Sequence, residues 1–282
     1  MLKFNSYELY GLTRIEIKSS ANIIKTNYDL KELIEIFKSI QPDILIHAAG
    51  SSSVQESIKD PLNDFLNSSY LFKKIVESIR IAAENTRIVF LSSAAVYGDI
   101  VAIPMSENFT LKPISPYGFN KLICEQIARE YSEIFNIPVL IVRLFSVFGY
   151  EQKKLIIWEL FKKFSEETSV TIEGTGNEVR DFLYIEDFAE ILMELLVKNN
   201  KNFNIINLAS GQSYRIIDIA IKMKNFLKNS KNIQILNKER FGNPKEWVAD
   251  ITKCESILER KINYNFDSRL KSVMKIWTKG KY

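Results

Sequence analysis

Tyr117 and Lys121 stand four residues apart in the run Ser115-Pro116-Tyr117-Gly118-Phe119-Asn120-Lys121. On a helix, that spacing places a phenol and an ammonium about 6 Å apart on one face. A free phenol titrates near pH 10, so a tyrosine that takes protons at neutral pH needs about three pH units of anion stabilisation, or roughly 4 kcal/mol. A fixed cation beside the ring is one source. Taken alone, the pattern is weak and more often describes a half-buried ring next to a solvated lysine, so its neighbours decide. Ser92-Ser93 closes an apolar run from Arg87 to Leu91 that reads as a buried strand. Ligands of open parallel sheets sit beyond such carboxyl ends, where a serine can hydrogen-bond a reacting hydroxyl or carbonyl. One loop and a helix start can bring Tyr117 and Lys121 to the same place.

These groups need a scaffold. Short apolar runs at 8–12, 43–48, 87–92 and 139–145 read as buried parallel strands. Leu30, Leu33, Ile34 and Phe37 mark a helix over 30–40 that ends before Pro42, and longer helices follow at 64–83 and 117–135. Strands alternating with helices predict an α/β, Rossmann-type doubly wound parallel sheet. After Gly149 the pattern loosens into a helix at 155–165, a strand at 170–173 and the turn Gly174-Thr175-Gly176. A helix at 185–198, a strand at 204–208, a helix at 216–227 and a strand at 233–236 complete the reading. The expected division is a first domain over 1–150 and a smaller α/β lobe mainly over 151–282, closely packed because no linker separates them.

The composition narrows the chemistry. With 46% apolar and 26% charged residues in 282, the chain has the make-up of a soluble globular protein. Its net charge of +4 is too mild to argue for nucleic acid. The positive excess after about residue 220 is either solvated or turned toward an anionic ligand. Cys124 and Cys254 are far apart, which supports neither a disulfide framework nor a zinc site. His47 is the only histidine, so histidine triads and HExxH sites are excluded and no metal is expected. No apolar run reaches membrane-spanning length and the N-terminus lacks a signal-peptide layout, so a reduced cytoplasmic setting without membrane partners is the default.

Several runs in order resemble the extended short-chain dehydrogenase/reductases, in their nucleotide-sugar epimerase/dehydratase branch. They are Ile46-His47-Ala48-Ala49-Gly50, Asp60-Pro61 with Asn67, Ser92 to Gly98, Tyr117 to Lys121, and Arg143-Leu144-Phe145-Ser146-Val147-Phe148-Gly149. Gly174-Thr175-Gly176 through Arg180-Asp181-Phe182 to Asp187, and Arg240-Phe241-Gly242 with Asp250 and Lys253, continue the series. The resemblance implies that Tyr117 is the acid/base, that Lys121 lowers its pKa and holds a nicotinamide ribose, and that Ser93 binds the sugar oxygen being oxidised. It implies NAD along Ala48, Ala49, Gly50, Asn67, Ser92 and Phe145, and a nucleotide-diphospho-sugar held by Ser93, Ser146, Arg180 and Arg240. Guanidinium forks suit a diphosphate. It also implies a homodimer through the helices at 64–83 and 117–135. Dehydratases of the family carry an Asp-Glu pair where this chain has Ala94-Ala95, so dehydration is disfavoured and a 4-epimerase, or a 4-keto-sugar reductase, is expected. Trp247 resembles a bulky residue that limits room for an N-acetyl group, which implies an unacetylated hexose.

One departure stands at the front. The family opens with a strand and a G-x-x-G-x-x-G loop at a helix N-terminus. Here Met1 to Tyr7 resembles the end of the following helix and Tyr10 to Arg14 the close of the second strand. Roughly twenty residues with the first strand are missing from the pattern, and in a 3-2-1-4 order that leaves a gap inside the sheet. A start assigned too far downstream, a truncated product, and a scaffold kept for binding alone all fit. Arg14 stands near the position of an acidic residue that usually holds a ribose 2′-hydroxyl, which admits NADP beside NAD.

Overall fold

The computed structural model describes residues 7–99, 104–238 and 244–280; Arg240, Phe241, Gly242 and Met1 to Ser6 lie outside them. The chain opens with β1 (Tyr10–Thr13), β2 (Asn22–Lys25), α1 (Leu30–Ile40) and β3 (Ile44–His47). Next come α2 (Val54–Lys59), α3 (Pro61–Phe65), a π-helical turn at Leu66–Tyr70, and α4 (Leu71–Ala82). β4 (Arg87–Ser93) runs into a 3-10 turn, Ala94–Val96, and is followed by α5 (Pro116–Phe135), β5 (Val139–Leu144) and β6 (Ser146–Phe148). The later elements are α6 (Ile156–Glu166), β7 (Val170–Ile172), β8 (Val179–Arg180), β9 (Phe182–Tyr184), α7 (Ile185–Lys198) and β10 (Phe203–Leu208). β11 (Tyr214–Arg215), α8 (Ile216–Phe226), β12 (Ile233–Ile235), β13 (Glu246–Trp247), α9 (Thr252–Leu258) and α10 (Phe266–Thr278) complete the chain.

The central sheet has the order β10-β5-β4-β3, with every pairing parallel. Its strands are apolar on both faces, as a sheet covered on both sides requires: Val139 to Val142 and Ile88 to Phe90 are all at most 1% exposed. One face packs on α1, α4 and α5 through Leu33, Phe37, Phe72, Ile79 and Ala128. The other packs on α6, α7, α8 and α10 through Leu160, Leu195, Ile219 and Leu270. The doubly wound α/β expectation holds. Residues 204–208, read from sequence with the smaller lobe, instead form the edge of this sheet, Phe203–Leu208 pairing with Val139–Leu144. The long helix expected over 64–83 is also divided, with Asp60 capping α3 and the ladder widening at Leu66–Tyr70.

β1 pairs in parallel with β2, from Tyr10↔Asn22 to Thr13↔Lys25, and no pairing joins β1 to β3 among the described residues. The sheet therefore comes in two pieces, with the break where the sequence pattern places it. No residue of β1 or β2 is buried, and Ile44 and Ile46 of β3 are 37% and 44% exposed. The small ribbon is tied down indirectly. The Tyr28 hydroxyl donates to the Leu12 carbonyl at 2.8 Å, Lys74 Nζ donates to the Tyr28 carbonyl at 2.6 Å, and α1 packs on α4.

Candidate active site

The start of α5 is fixed from three sides. The Ser115 hydroxyl accepts from the Gly118 N–H at 3.2 Å, Pro116 occupies the first turn, and the Tyr117 N–H donates to Ser57 Oγ at 3.1 Å. Position 118 must lack a side chain because a Cβ there would come within 2.6 Å of the Ala95 carbonyl oxygen. The helix start thus rests on the turn that follows β4, which sets Tyr117 beside Ser93. Gly98, which ends the same turn, has φ +75° and would drive a Cβ to 1.8 Å from the Lys112 carbonyl oxygen.

Lys121 lies one turn further on, 8% exposed, donating from Nζ to the Leu91 carbonyl at 2.8 Å. Its Nζ is 5.0 Å from the centre of the Phe90 ring and 5.8 Å from that of Tyr117. Burial pushes the Lys121 pKa down, opposed by Cys124, Asp64 and Glu125. Burial pushes the Tyr117 phenol up; the neighbouring Ser93 lowers it and Asp64 raises it. The expected fall in the Tyr117 pKa is therefore not produced by the protein's own groups: desolvation of the ring outweighs them.

Ser92 turns into the core. Its hydroxyl donates to Glu125 Oε1 at 2.6 Å inside the core. Asn67 stays apart from Tyr117, donating to the Asn63 carbonyl at 2.9 Å and accepting from Arg14 Nη1 at 2.7 Å. The residues of the π-helical turn that turn inward are Ser68, beside Gly50, and Ser69, whose Oγ donates to the Asn120 carbonyl at 3.1 Å. A ladder widened by one residue rotates the following side chains relative to a regular helix, which linear spacing does not reveal.

Arg14, Asn67, Ala49 and Gly50 line a cavity of ≈ 500 Å³ at the carboxyl ends of β1 and β3, together with Thr13 and Asp60. Ala48, beside it in sequence, is exposed. Arg14 is exposed too, its guanidinium 5.3 Å from the centre of the Tyr28 ring.

A third group meets the turn after β4 from the C-terminal half. Trp247 packs with Ala94, Tyr97, Met105 and Phe145, and its Nε1 donates to the Gly98 carbonyl at 3.0 Å. Arg180 is its register partner across β8 and β13, and the guanidinium lies 5.4 Å from the centre of the indole. Burial pushes Arg180 down to about 10, and among the described residues no carboxylate reaches it at ion-pair distance; it donates to the Val179 carbonyl at 2.8 Å. Ser146 is half-buried, its N–H donating to the Asp181 carbonyl at 2.9 Å. The structure thus brings Ser93, Tyr117 and Lys121 together, with Phe145, Trp247 and Arg180 around the same turn, and leaves Ala48, Asn67 and Ser92 apart from it.

Sequence reasoning overlooked Glu125 and Asp64. Glu125 repeats the Tyr117/Lys121 spacing once more along the helix, a signal that was available. Asp64 is buried beside Asn120, whose Nδ2 donates to it at 2.5 Å, and nothing in linear spacing points to it. Among the described residues there is no group of three or more His, Cys, Asp or Glu arranged to hold a metal, and no helix long and apolar enough to cross a membrane.

A cleft of ≈ 500 Å³ thus lies at the strand ends of a Rossmann-type sheet, and Ser57 on its wall accepts from the N–H of Tyr117, at the start of the helix that carries Lys121. The sequence pattern of the NAD dependent epimerase/dehydratase family matches residues 1–209, and the chain belongs to that family. It is 29% identical over 264 residues to a putative UDP-glucose 4-epimerase of Methanocaldococcus jannaschii, covering 90% of this chain and 85% of the relative. It is 28% identical over 261 residues to the UDP-glucose 4-epimerase of Mycoplasma genitalium, covering 84% and 76%. Among solved structures, UDP-glucuronic acid 4-epimerase from Bacillus cereus, in complex with UDP-glucuronic acid and NAD, is similar at TM-score 0.89 and 25% identity. That match covers 100% of this chain and 94% of the other.

Proposed function

We propose that this protein is an NAD-dependent epimerase acting at C4 of a nucleotide-diphospho-hexose, with Tyr117 as the acid/base. The observation that carries the reading is Tyr117 set beside Ser93, with the Lys121 ammonium 5.8 Å from the centre of its ring. The cavity suits the cofactor: at ≈ 500 Å³ it lies within the usual range for such sites, at strand ends bordered by Gly50, whose φ is +114°. NAD, when bound, supplies the hydride acceptor. Tyr117 takes the proton of the sugar hydroxyl, Ser93 holds the same oxygen, and Lys121 keeps a positive charge behind the ring. Ala94 and Ala95 are buried methyl groups with no proton to give, which supports epimerisation over dehydration. Arg180 and Arg240 bind the diphosphate, and Ser146 and Trp247 border the sugar, Trp247 favouring a hexose without an N-acetyl group. The dinucleotide falls mainly to residues 1–150 and the sugar nucleotide mainly to 151–282.

The test is turnover of UDP-glucose or UDP-galactose with NAD, followed by sugar analysis. Tyr117→Phe should reduce turnover by about 10²–10⁴-fold, the range for a lost general acid/base. Wild-type turnover undiminished in that variant would remove Tyr117 from the role. The exposed Arg14 on the cavity wall supports a second reading, a 4-keto-sugar reductase that prefers NADP. Tighter binding of NADP than NAD, abolished in Arg14→Ala, would favour it; calorimetry showing neither cofactor bound would favour a role in binding alone.

A further inference from the structure

Arg143 and Glu125 form the most deeply buried ion pair among the described residues, with side chains 2% and 3% exposed. Arg143 Nη2 donates to Glu125 Oε2 at 2.8 Å and its Nε to Oε1 at 3.0 Å, a two-pronged contact. Ser92, the register partner of Arg143 across β4 and β5, donates to Glu125 Oε1. Glu125 therefore receives three donors from two adjacent strands at one level.

Glu125 is also the third rung of a line along α5. Tyr117, Lys121 and Glu125 recur every four residues and meet, in order, Ser93, the Leu91 carbonyl, and Ser92 with Arg143. The first two are a phenol beside a hydroxyl and an ammonium on a carbonyl. The third joins two full charges away from water. Among the described residues it is the ion pair that joins this helix to the central sheet. The line continues beyond Arg143: its Nη1 donates to Tyr97 Oη at 3.0 Å, and Tyr97 Oη donates to Asn207 Oδ1 at 2.7 Å. Asn207 Nδ2 in turn donates to the Met105 carbonyl at 2.8 Å.

We propose that Glu125 is a positioning residue for the acid/base pair: clamped by Arg143 and Ser92, it sets the height of α5 against β4 and keeps Lys121 protonated in its buried setting. This rests on the reading of Tyr117 and Lys121 as the working pair. The groups that face Lys121 come from four elements. They are Tyr117, Cys124 and Glu125 on α5, Asp64 on α3, His47 on β3, and the Phe90 ring and Leu91 carbonyl on β4. Of the acidic ones, Glu125 is the one bound to a residue of the central sheet, so its charge cannot swing away.

The experiment follows the Lys121 side chain without any substrate. In protein labelled with ¹⁵N-lysine, the Nζ signal lost in Lys121→Met is titrated in wild type and in Glu125→Gln. Glu125→Gln removes a negative charge near Lys121 and leaves Arg143 unopposed, and both changes favour the neutral amine. The Lys121 midpoint should fall by about one pH unit, a tenfold change in its protonation constant. Glu125→Gln/Arg143→Met, which buries no unpaired charge, should fold and show a smaller fall in the same direction. An unmoved midpoint in the double variant, or in a folded Glu125→Gln, overturns the proposal, because a purely structural pair would change the melting temperature alone. The titration is independent of turnover. A shifted midpoint in a wild type that epimerises no sugar would reject the 4-epimerase reading and keep this one; an active enzyme with an unmoved midpoint would do the reverse.

Discussion

Tyr117 is held in a setting that favours its protonated form, and this has a kinetic consequence. Burial raises its pKa, so the fraction present as phenolate grows as the medium becomes alkaline, and turnover should rise with pH across the neutral range. Ser93→Ala removes the neighbouring hydroxyl that lowers the phenol's pKa. The rising limb of the pH–rate profile should then move to higher pH, with a rate loss at pH 7 of about 10-fold or more. His47 makes a separate prediction. It is stacked against Phe90 and tilted against Phe72, and burial, assisted by Lys121, pushes it down to about 3 from an ordinary 6.5. The unfolded chain takes up this proton below pH 6.5 and the folded one does not until about 3, so stability present above 6.5 is lost as the pH falls through that window. At most ~4–5 kcal/mol is at stake. In His47→Gln, urea titrations should show a shallower loss of stability between pH 6.5 and pH 4 than in wild type.

At the scale of elements, the two pieces of the sheet should differ sharply in dynamics. β4 and β5 are buried on both faces, whereas β1 and β2 have no fully buried residue, and two strands alone are marginal in water. Amide exchange at Tyr10–Thr13 should be at least about a hundredfold faster than at Ile88–Leu91, and NAD should slow it if the cavity is the cofactor site. The same contrast explains what could be read in the sequence. Strands buried on both faces are unbroken apolar runs, so β4 and β5 were legible almost to the residue, and the apolar Ile44-Leu45-Ile46 made β3 legible although it is partly open. β2 has only Ile23 and Ile24 between polar neighbours, and nothing in it announces a strand. α10 was missed because its stripe of Phe266, Leu270, Val273, Met274 and Trp277 is interleaved with lysine, arginine and serine. Tyr117, Lys121 and Ser93 were legible because their types are scarce at strand ends and helix starts. The inward turn of Ser68 and Ser69 depends on the widened ladder before them, and the role of Ser92 depends on a partner thirty-three residues away.

Across the whole molecule, cofactor and stability should be linked. A ligand bound only by the folded state at a hundred times its Kd adds about 2.7 kcal/mol, so saturating NAD should raise the melting temperature by several degrees. Arg14→Ala, at the cavity wall, should reduce that shift. The proposed homodimer would cover Leu62, Leu66, Tyr70, Phe119 and Ile123, which are between 40% and 68% exposed on α3, α5 and the π-helical turn. Phe119→Asp should then give a monomer by sedimentation. The outer side of β3, which pairs with no strand among the described residues, has a different consequence, one for handling the protein. Ile44–His47 carries no charge and offers its peptide groups along one side, the condition under which strands of separate molecules add to one another. Concentrated stocks should therefore form sheet-rich aggregates on storage. Placing a charge there, as in Ile46→Lys, should lower thioflavin binding and raise the soluble fraction.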